Sequence, residues 1–331
     1  MKNMKKNVCI LAVMWLFASC AKEQTINNDE YEQQRIDAYL TVNDGAYPDW
    51  RKTESGAYIL SQTKTSGKSP LTDNIVYVRY TVRIFDESII SSSVDSIALL
   101  LGAHSNATYY GPRLLMLTDN VIMSGLKDAI LTLKEGEKAR ILLPSWLSSI
   151  AGTRAYSYPI LYDLELLRVI PDIEQFQSDS LKSYRDNHYP GADAIRSNLY
   201  YHTLVQGSGE PPQSDDTVKV LYMGTLLDGF MFDTNIRDSA KVHRGKNYDA
   251  SATYDTLTVI VTDSISDMSV IPGFAHTLKK MKQGEEAIAF FSSDYGYAAQ
   301  TSGQIQPYSM LCFYIKMTYL GVKKEDTEDT E

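Results

Sequence analysis

Side chains capable of acid–base, nucleophilic or metal chemistry occur in this sequence, but none of them is grouped for it. The five histidines (His104, His188, His202, His243 and His276) are scattered, with no ligand spacing and no cysteine partners, so no zinc or other metal site is expected. There is no Gly-x-Ser-x-Gly elbow to present a nucleophile and no glycine-rich loop to cradle a phosphate. Gly207-Ser208-Gly209 runs into Glu210-Pro211-Pro212 and reads as a turn. Cys312 lies in an apolar alternating run, where a buried core thiol is expected rather than a nucleophile. What remains is aromatic. Tyr222, Phe232, Phe274, Tyr295, Tyr297 and Phe313 stand among aliphatic residues in the second half, with Asp233 directly after Phe232. Aromatics in alternating strands ordinarily belong to a core, and Asp233 alone would be a hairpin-end residue. Singly, none marks a site.

The elements that position these residues follow from periodicity. Val218, Val220 and Tyr222 alternate as in a strand, and Asp228-Gly229 separates that run from Phe230-Met231-Phe232. Asp-Gly between apolar runs is a strong hairpin signal, because both turn residues tolerate positive φ. Ser269-Val270-Ile271-Pro272-Gly273 enters a helix with Phe274, Leu278 and Met281 on one face; Leu311, Phe313, Ile315 and Met317 alternate in a last strand. An α+β fold is expected, an antiparallel sheet packed on a short helix. The pattern occurs twice. Gly125-Leu126 and Leu133-Lys134-Glu135-Gly136-Glu137-Lys138-Ala139 align without a gap on Gly273-Phe274 and Met281-Lys282-Gln283-Gly284-Glu285-Glu286-Ala287. Upstream, Val78-Arg79-Tyr80 through Asp86 matches Val220-Leu221-Tyr222 through Asp228. In each copy the Lys-x-Gly stretch is expected to stop the helix. The chain divides into domains at about 56–170 and 198–322, with a linker helix in 171–197 and a short helix at about 29–40 inside a 20–55 tether.

In order and approximate spacing, the second domain resembles the FKBP-type peptidyl-prolyl isomerase family. The resemblance rests on Val220-Leu221-Tyr222-Met223-Gly224, Asp228-Gly229, Phe232-Asp233 and Val270-Ile271-Pro272-Gly273-Phe274. It continues through Lys282-Gln283-Gly284-Glu285, Asp294-Tyr295-Gly296-Tyr297 and Ile305-Gln306-Pro307-Tyr308 before Leu311-Cys312-Phe313. It implies two FKBP-like antiparallel half-barrels, each wrapped around a short helix and joined by the linker helix. It also implies an apolar pocket bounded by Tyr222, Phe232, Asp233, Val270, Ile271, Phe274, Ile305, Phe313 and either Tyr295 or Tyr297. The departures are Phe274 where the family has tryptophan, Gln306 in the Ile-Pro-Pro turn, and an insertion at about 236–256.

The implied reaction needs no cofactor, proton transfer or covalent intermediate. Its barrier, about 18–20 kcal/mol, is the amide resonance lost when the C–N bond twists. A pocket that holds the proline ring, strips water from the imide and favours the twisted form lowers it by differential binding. A Tyr295 or Tyr297 hydroxyl would hold the substrate carbonyl, and Asp233 would orient a tyrosine or the substrate. The resemblance extends to proline-containing exported polypeptides as substrates and to macrolides of the FKBP class as ligands. Across the repeat Tyr80 matches Tyr222, but Ile90 and Ser91 replace Phe232 and Asp233, Leu126 replaces Phe274, and Leu147-Ser148-Ser149 replaces the Tyr295–Tyr297 loop. The first domain is therefore expected to be degenerate, with activity in the second only. The alternatives are a non-catalytic lipoprotein that binds peptides or partners through FKBP-like folds and a surface glycan-binding lipoprotein.

The N-terminus points to export. Lys2, Lys5 and Lys6 precede an apolar stretch at 8–18, shorter than the ~20 residues a membrane-spanning helix needs. Phe17-Ala18-Ser19-Cys20 resembles the lipobox of bacterial lipoproteins, which implies a signal peptide at 1–19 and lipid attachment at Cys20. Ala21 after the cysteine resembles the outer-membrane sorting signal, so a lipid-anchored envelope location is expected. With Cys9 in the signal and Cys20 lipidated, Cys312 has no disulfide partner. A net charge of −9 without a basic stripe argues against nucleic acid, and 323–331 reads as an acidic, solvated tail.

Overall fold

The computed structural model describes residues 28–321. The signal peptide, Cys20 and the acidic tail expected from the sequence lie outside them. Helix α1 (Asn28–Val42) belongs to a first compact unit ending at Ala46 and buries Ile36 and Leu40, one turn apart. A helix expected at 29–40 is thus present with slightly wider bounds.

The second unit, from Tyr47 onward, contains two sheets of one topology. The first half runs β1 (Arg51–Lys52), β2 (Tyr58–Gln62), β3 (Ile75–Arg83), β4 (Ile89–Ser92), α2 (Asp95–Leu100), β5 (Arg113–Met116), α3 (Ser124–Leu131), β6 (Lys138–Leu143), the small ladder of β7 (Ser149–Ile150) with β8 (Thr153–Arg154), and β9 (Ile160–Ile170). Helix α4 (Ile173–His188) leads to the second half. There the order is β10 (Asp193–Arg196), β11 (Leu199–Val205), β12 (Thr217–Leu226), β13 (Met231–Thr234), α5 (Arg237–Arg244), β14 (Leu257–Ile260), α6 (Pro272–Leu278), β15 (Glu286–Phe291) and β16 (Leu311–Gly321). Strand order is β1-β2-β6-β9-β3-β4 with β5 on β3, and β10-β11-β15-β16-β12-β13 with β14 on β12. The long central ladders β3–β9 and β12–β16 are antiparallel. The fold is α+β: two FKBP-like antiparallel half-barrels, each around a short helix, joined by α4. The edge strands β1 and β10 fall outside the ranges 56–170 and 198–322, being too short to show alternation.

The cores follow the alternation. Val218 and Val220 of β12 and Leu311, Phe313, Ile315 and Met317 of β16 are buried under Phe274, Ala275 and Leu278 of α6. Pro272 occupies the first turn of α6, where its missing N–H costs nothing. On the outer face of the second sheet, Leu181 of α4 packs with Tyr200, Ile288, Phe290 and Cys312. Burial pushes the Cys312 thiol up to about 11, which leaves it protonated and inert.

One expectation needs correcting. The glycines of the two Lys-x-Gly stretches do not stop the helices, which end at Leu131 and Leu278 with the following residue still right-handed. The chain first makes tight turns, such as Leu133 N to Ile130 O at 3.0 Å. Gly136 (φ 86) and Gly284 (φ 80) instead serve the turn into the next strand. Their N–H groups donate to Leu166 O at 2.7 Å and Met317 O at 2.9 Å. The glutamate after each glycine anchors that turn: Glu137 and Glu285 accept from the backbone N–H of Lys134 and Lys282, both at 2.9 Å.

The second core is not closed by its own residues alone. A loop of the first half reaches over and buries Tyr109 among Leu226, Phe230 and Ile305. Its hydroxyl donates to Asp228 Oδ2 at 2.9 Å, its N–H to Gln304 Oε1 at 2.9 Å, and its ring lies 5.2 Å from that of Phe230. Asn106 of the same loop bonds to His243 O and Asn247 Oδ1 in the insertion.

Candidate active site

The residues singled out in the second half converge on one cluster. Tyr222 comes from β12, Phe232 and Asp233 from β13, Phe274 from α6 and Phe313 from β16. Val270 and Ile271 lie just before α6, and Ile305 lies in the loop before β16; all pack on the same core. The Phe313 ring is the hub. Phe274 meets it edge-on at 5.2 Å and Phe232 at 5.6 Å, while Tyr222 stands edge-on to Phe274 at 5.7 Å. Edge-to-face packing of this kind makes a rigid apolar box.

Asp233 is exposed at the rim and accepts the Tyr222 hydroxyl at 2.6 Å. Burial first, then that bond, then the charges of Asp233 and Tyr297 hold the Tyr222 hydroxyl well above its ordinary range, so it stays a donor. The β12–β13 register places Asp233 opposite Gly224. A Cβ on Gly224 would lie 2.6 Å from the Phe232 ring and 2.8 Å from that of Phe313. The glycine lets the two rings meet.

The two tyrosines of the loop after β15 separate. Residues 293–295 form a short 3₁₀ turn, and Tyr295 leaves it toward His276 (5.8 Å) and Phe291 (6.5 Å). Tyr297 lies close enough to Tyr222 for its charge to oppose that hydroxyl's ionisation. Both tyrosines pack against the same core.

Four supporting residues escaped the sequence reading. Phe291 stacks under Phe313 at 5.8 Å with an interplanar angle of 15°; its place in an alternating strand was the available signal. Gln177 of α4 is buried and clamps the tyrosine loop, donating to Ser293 Oγ at 2.9 Å and accepting Ser293 N–H at 2.7 Å. Tyr109 holds the residue preceding Ile305 through Gln304. Asn235 ties the start of the insertion to the site strand: it accepts Tyr222 N–H at 2.7 Å and donates to Val220 O and Asp255 O. Gln306 donates to Gln304 O at 3.3 Å and faces the first half. Among the described residues, no group of three His, Cys, Asp or Glu side chains gathers as a metal site would require.

The first half has the same frame without the box. Ser93 and Ser92 take the places of Asn235 and Thr234: Tyr80 N–H donates to Ser93 Oγ at 2.8 Å. Ser91 lies opposite Val82 as Asp233 lies opposite Gly224. Ile90 is 42% exposed and Leu126 is buried.

Comparison with known proteins agrees with this geometry. Residues 208–318 match the family described as FKBP-type peptidyl-prolyl cis-trans isomerase. The chain is 33% identical over 132 residues to "Probable FKBP-type peptidyl-prolyl cis-trans isomerase FkpA" of Neisseria meningitidis, covering 40% of this chain and 41% of that one. It is 30% identical over 136 residues to "Outer membrane protein MIP" of Legionella longbeachae, covering 41% of this chain and 48% of the other. With "FK506-binding protein 1" of Aspergillus oryzae it shares 28% over 114 residues, 34% of this chain and 90% of that protein. The chain thus spans less than half the length of the two bacterial relatives.

Proposed function

Given that residues 208–318 form an FKBP-type domain, we propose that the chain is a peptidyl-prolyl cis-trans isomerase whose activity resides in the second domain only. Its substrates are proline-containing exported polypeptides, and macrolides of the FKBP class compete for the same pocket. The proposed boundaries are 56–170 and 198–322, and lipid on Cys20 holds the protein to the cell envelope, at the outer membrane. Among the described residues no helix is long and apolar enough to cross a membrane.

In the mechanism, Phe232, Phe274, Phe313, Val270 and Ile271 enclose the proline ring and remove water from the imide. The planar ground state, more polar than the twisted one, loses more by that desolvation. Tyr297 donates to the substrate carbonyl, and the Tyr222–Asp233 pair fixes the rim on which the orthogonal carbonyl settles. The observation that carries the reading is the 2.6 Å bond between Tyr222 and Asp233 on a box of edge-on rings.

The test is cis-to-trans turnover of a proline peptide by the whole chain. Asp233→Ala leaves the Tyr222 hydroxyl without its acceptor, and kcat/KM is expected to fall about tenfold, the equivalent of roughly 1.4 kcal/mol. Tyr297→Phe is expected to cost about threefold to tenfold, and Tyr295→Phe less than about twofold. A well-folded chain with no turnover, or with full turnover after Asp233→Ala, refutes the proposal.

A further inference from the structure

The loop between α2 and β5 of the first half carries Tyr109 into the core that holds Ile305 and on which Phe230 and Phe232 pack. Its two donors reach two different walls of the pocket. The hydroxyl bonds to Asp228 Oδ2 at 2.9 Å, in the turn between β12 and β13, the strands that carry Tyr222 and Phe232-Asp233. The backbone N–H bonds to Gln304 Oε1 at 2.9 Å, one residue before Ile305. Ser302 and Ile305 pair across a two-residue turn, with Gly303 (φ 57) and Gln304 at its tip. Gln304 thus ties the turn that presents Ile305 to the first half.

Tyr109 is itself held from the first sheet. Arg113 pairs with Val78 in the β3–β5 ladder, donates from Nη2 to Tyr109 O at 2.8 Å and lies 4.7 Å over the tyrosine ring. Gly111 lets the chain pass beside that ring, since a Cβ there would lie 2.2 Å from the Tyr109 hydroxyl. Within one domain such a tyrosine would be ordinary packing. Here the anchor belongs to one half, and both acceptors belong to elements that wall the pocket of the other. The same loop bonds Asn106 to His243 O and Asn247 Oδ1, in the segment that follows β13.

We propose that Tyr109 is a positioning residue for proline isomerisation in the second half. It fixes the spacing between the β12–β13 hairpin and the turn that presents Ile305, and so keeps the box closed. The proposal rests on the isomerase reading of the pocket. A slackened wall still admits a proline ring, so KM is expected to hold. Water then reaches the imide, the desolvation that favours the twisted form is lost, and the fall appears in kcat.

The whole chain is assayed for cis-to-trans turnover of a proline peptide with kcat and KM separated, and exchange of the Ile305 amide is followed by NMR. Tyr109→Phe removes the bond to Asp228 but keeps the ring, and should lower kcat about threefold. Gln304→Leu leaves the Tyr109 N–H without its acceptor and should lower kcat about threefold to tenfold. Both should hold KM within about twofold and speed Ile305 exchange about tenfold. Gln304→Glu, whose carboxylate accepts the same N–H, should retain turnover. Near-UV circular dichroism checks folding; if Gln304→Leu misfolds, Tyr109→Phe decides. Full kcat in the folded variants, a change in KM alone, or equal losses in Gln304→Glu and Gln304→Leu overturn the proposal. No turnover in the unaltered chain refutes the isomerase reading instead. Ile305 exchange then still reads the tie: faster exchange in the variants supports it, and unchanged exchange overturns it.

Discussion

The two halves share a strand order and differ in what the sheet holds against its helix. Gly136-Glu137 and Gly284-Glu285 make the same turn, and the residue after each hairpin strand, Ser93 or Asn235, accepts the N–H of the matching tyrosine. These shared parts build the frame of each half. The parts that differ, Val82 for Gly224, Ile90 for Phe232, Ser91 for Asp233 and Leu126 for Phe274, are pocket parts and change together. Ile90, at the repeat position of Phe232, is turned outward and leaves room for Val82. The frame of turns and strand ties is thus common to both halves, whereas the box of rings belongs to the second alone.

The largest test of that separation is on the shared turn. Glu285 accepts from Tyr201, Thr203 and Lys282, and Glu137 from Gln62, Thr65 and Lys134. Removing either carboxylate by Glu→Ala strands several donors and should cost roughly 2–4 kcal/mol, read from denaturant midpoints. A large loss in one half and none in the other would break the equivalence. Next is Gly224→Ala, which drives a Cβ into the Phe232 ring and should cost about 1–3 kcal/mol together with most of the proline turnover. Val82→Ala at the matching position should leave turnover unchanged.

The smallest effect is with pH. Burial, then Arg196 and Lys279, hold His276 below its ordinary value of 6.5. As pH falls below that value the unfolded chain takes up the proton first, so stability drops with acidification. Asp128 occupies the matching helix position in the first half. Burial opposes the shift, but bonds from Ser55 and Thr53 bring its carboxyl below 3.8, so the stability it adds above that value is lost only at lower pH, as it titrates in the fold. Hydrogen exchange should therefore show the second half loosening first as pH falls, and His276→Gln should remove that step.

Much of this was legible in the sequence because alternation and turn chemistry are local. The Asp228-Gly229 hairpin, the strands around Tyr222 and Phe313, and the matching of Ile90 and Ser91 to Phe232 and Asp233 all appear at the expected registers. Tyr295 and Tyr297 could not be told apart, since both stand at alternate positions and only the 3₁₀ turn separates them. The role of Gly136 and Gly284 is not legible locally, because glycine suits any left-handed residue and nothing nearby distinguishes a helix stop from a strand entry. Gln177 and Tyr109 were illegible, because their partners lie more than a hundred residues away in sequence.

Tyr109 also bears on the order of events during synthesis. It leaves the ribosome 119 residues before Asp228 and 195 before Gln304. The later half must therefore finish its core around a side chain already presented by the earlier one, a long-range closure that slows the last step of folding. A gene fragment starting at 198 would encode a domain with a tyrosine-sized hole, at a cost on the order of 3–5 kcal/mol. The second core is thus filled in part by a side chain that the first half contributes.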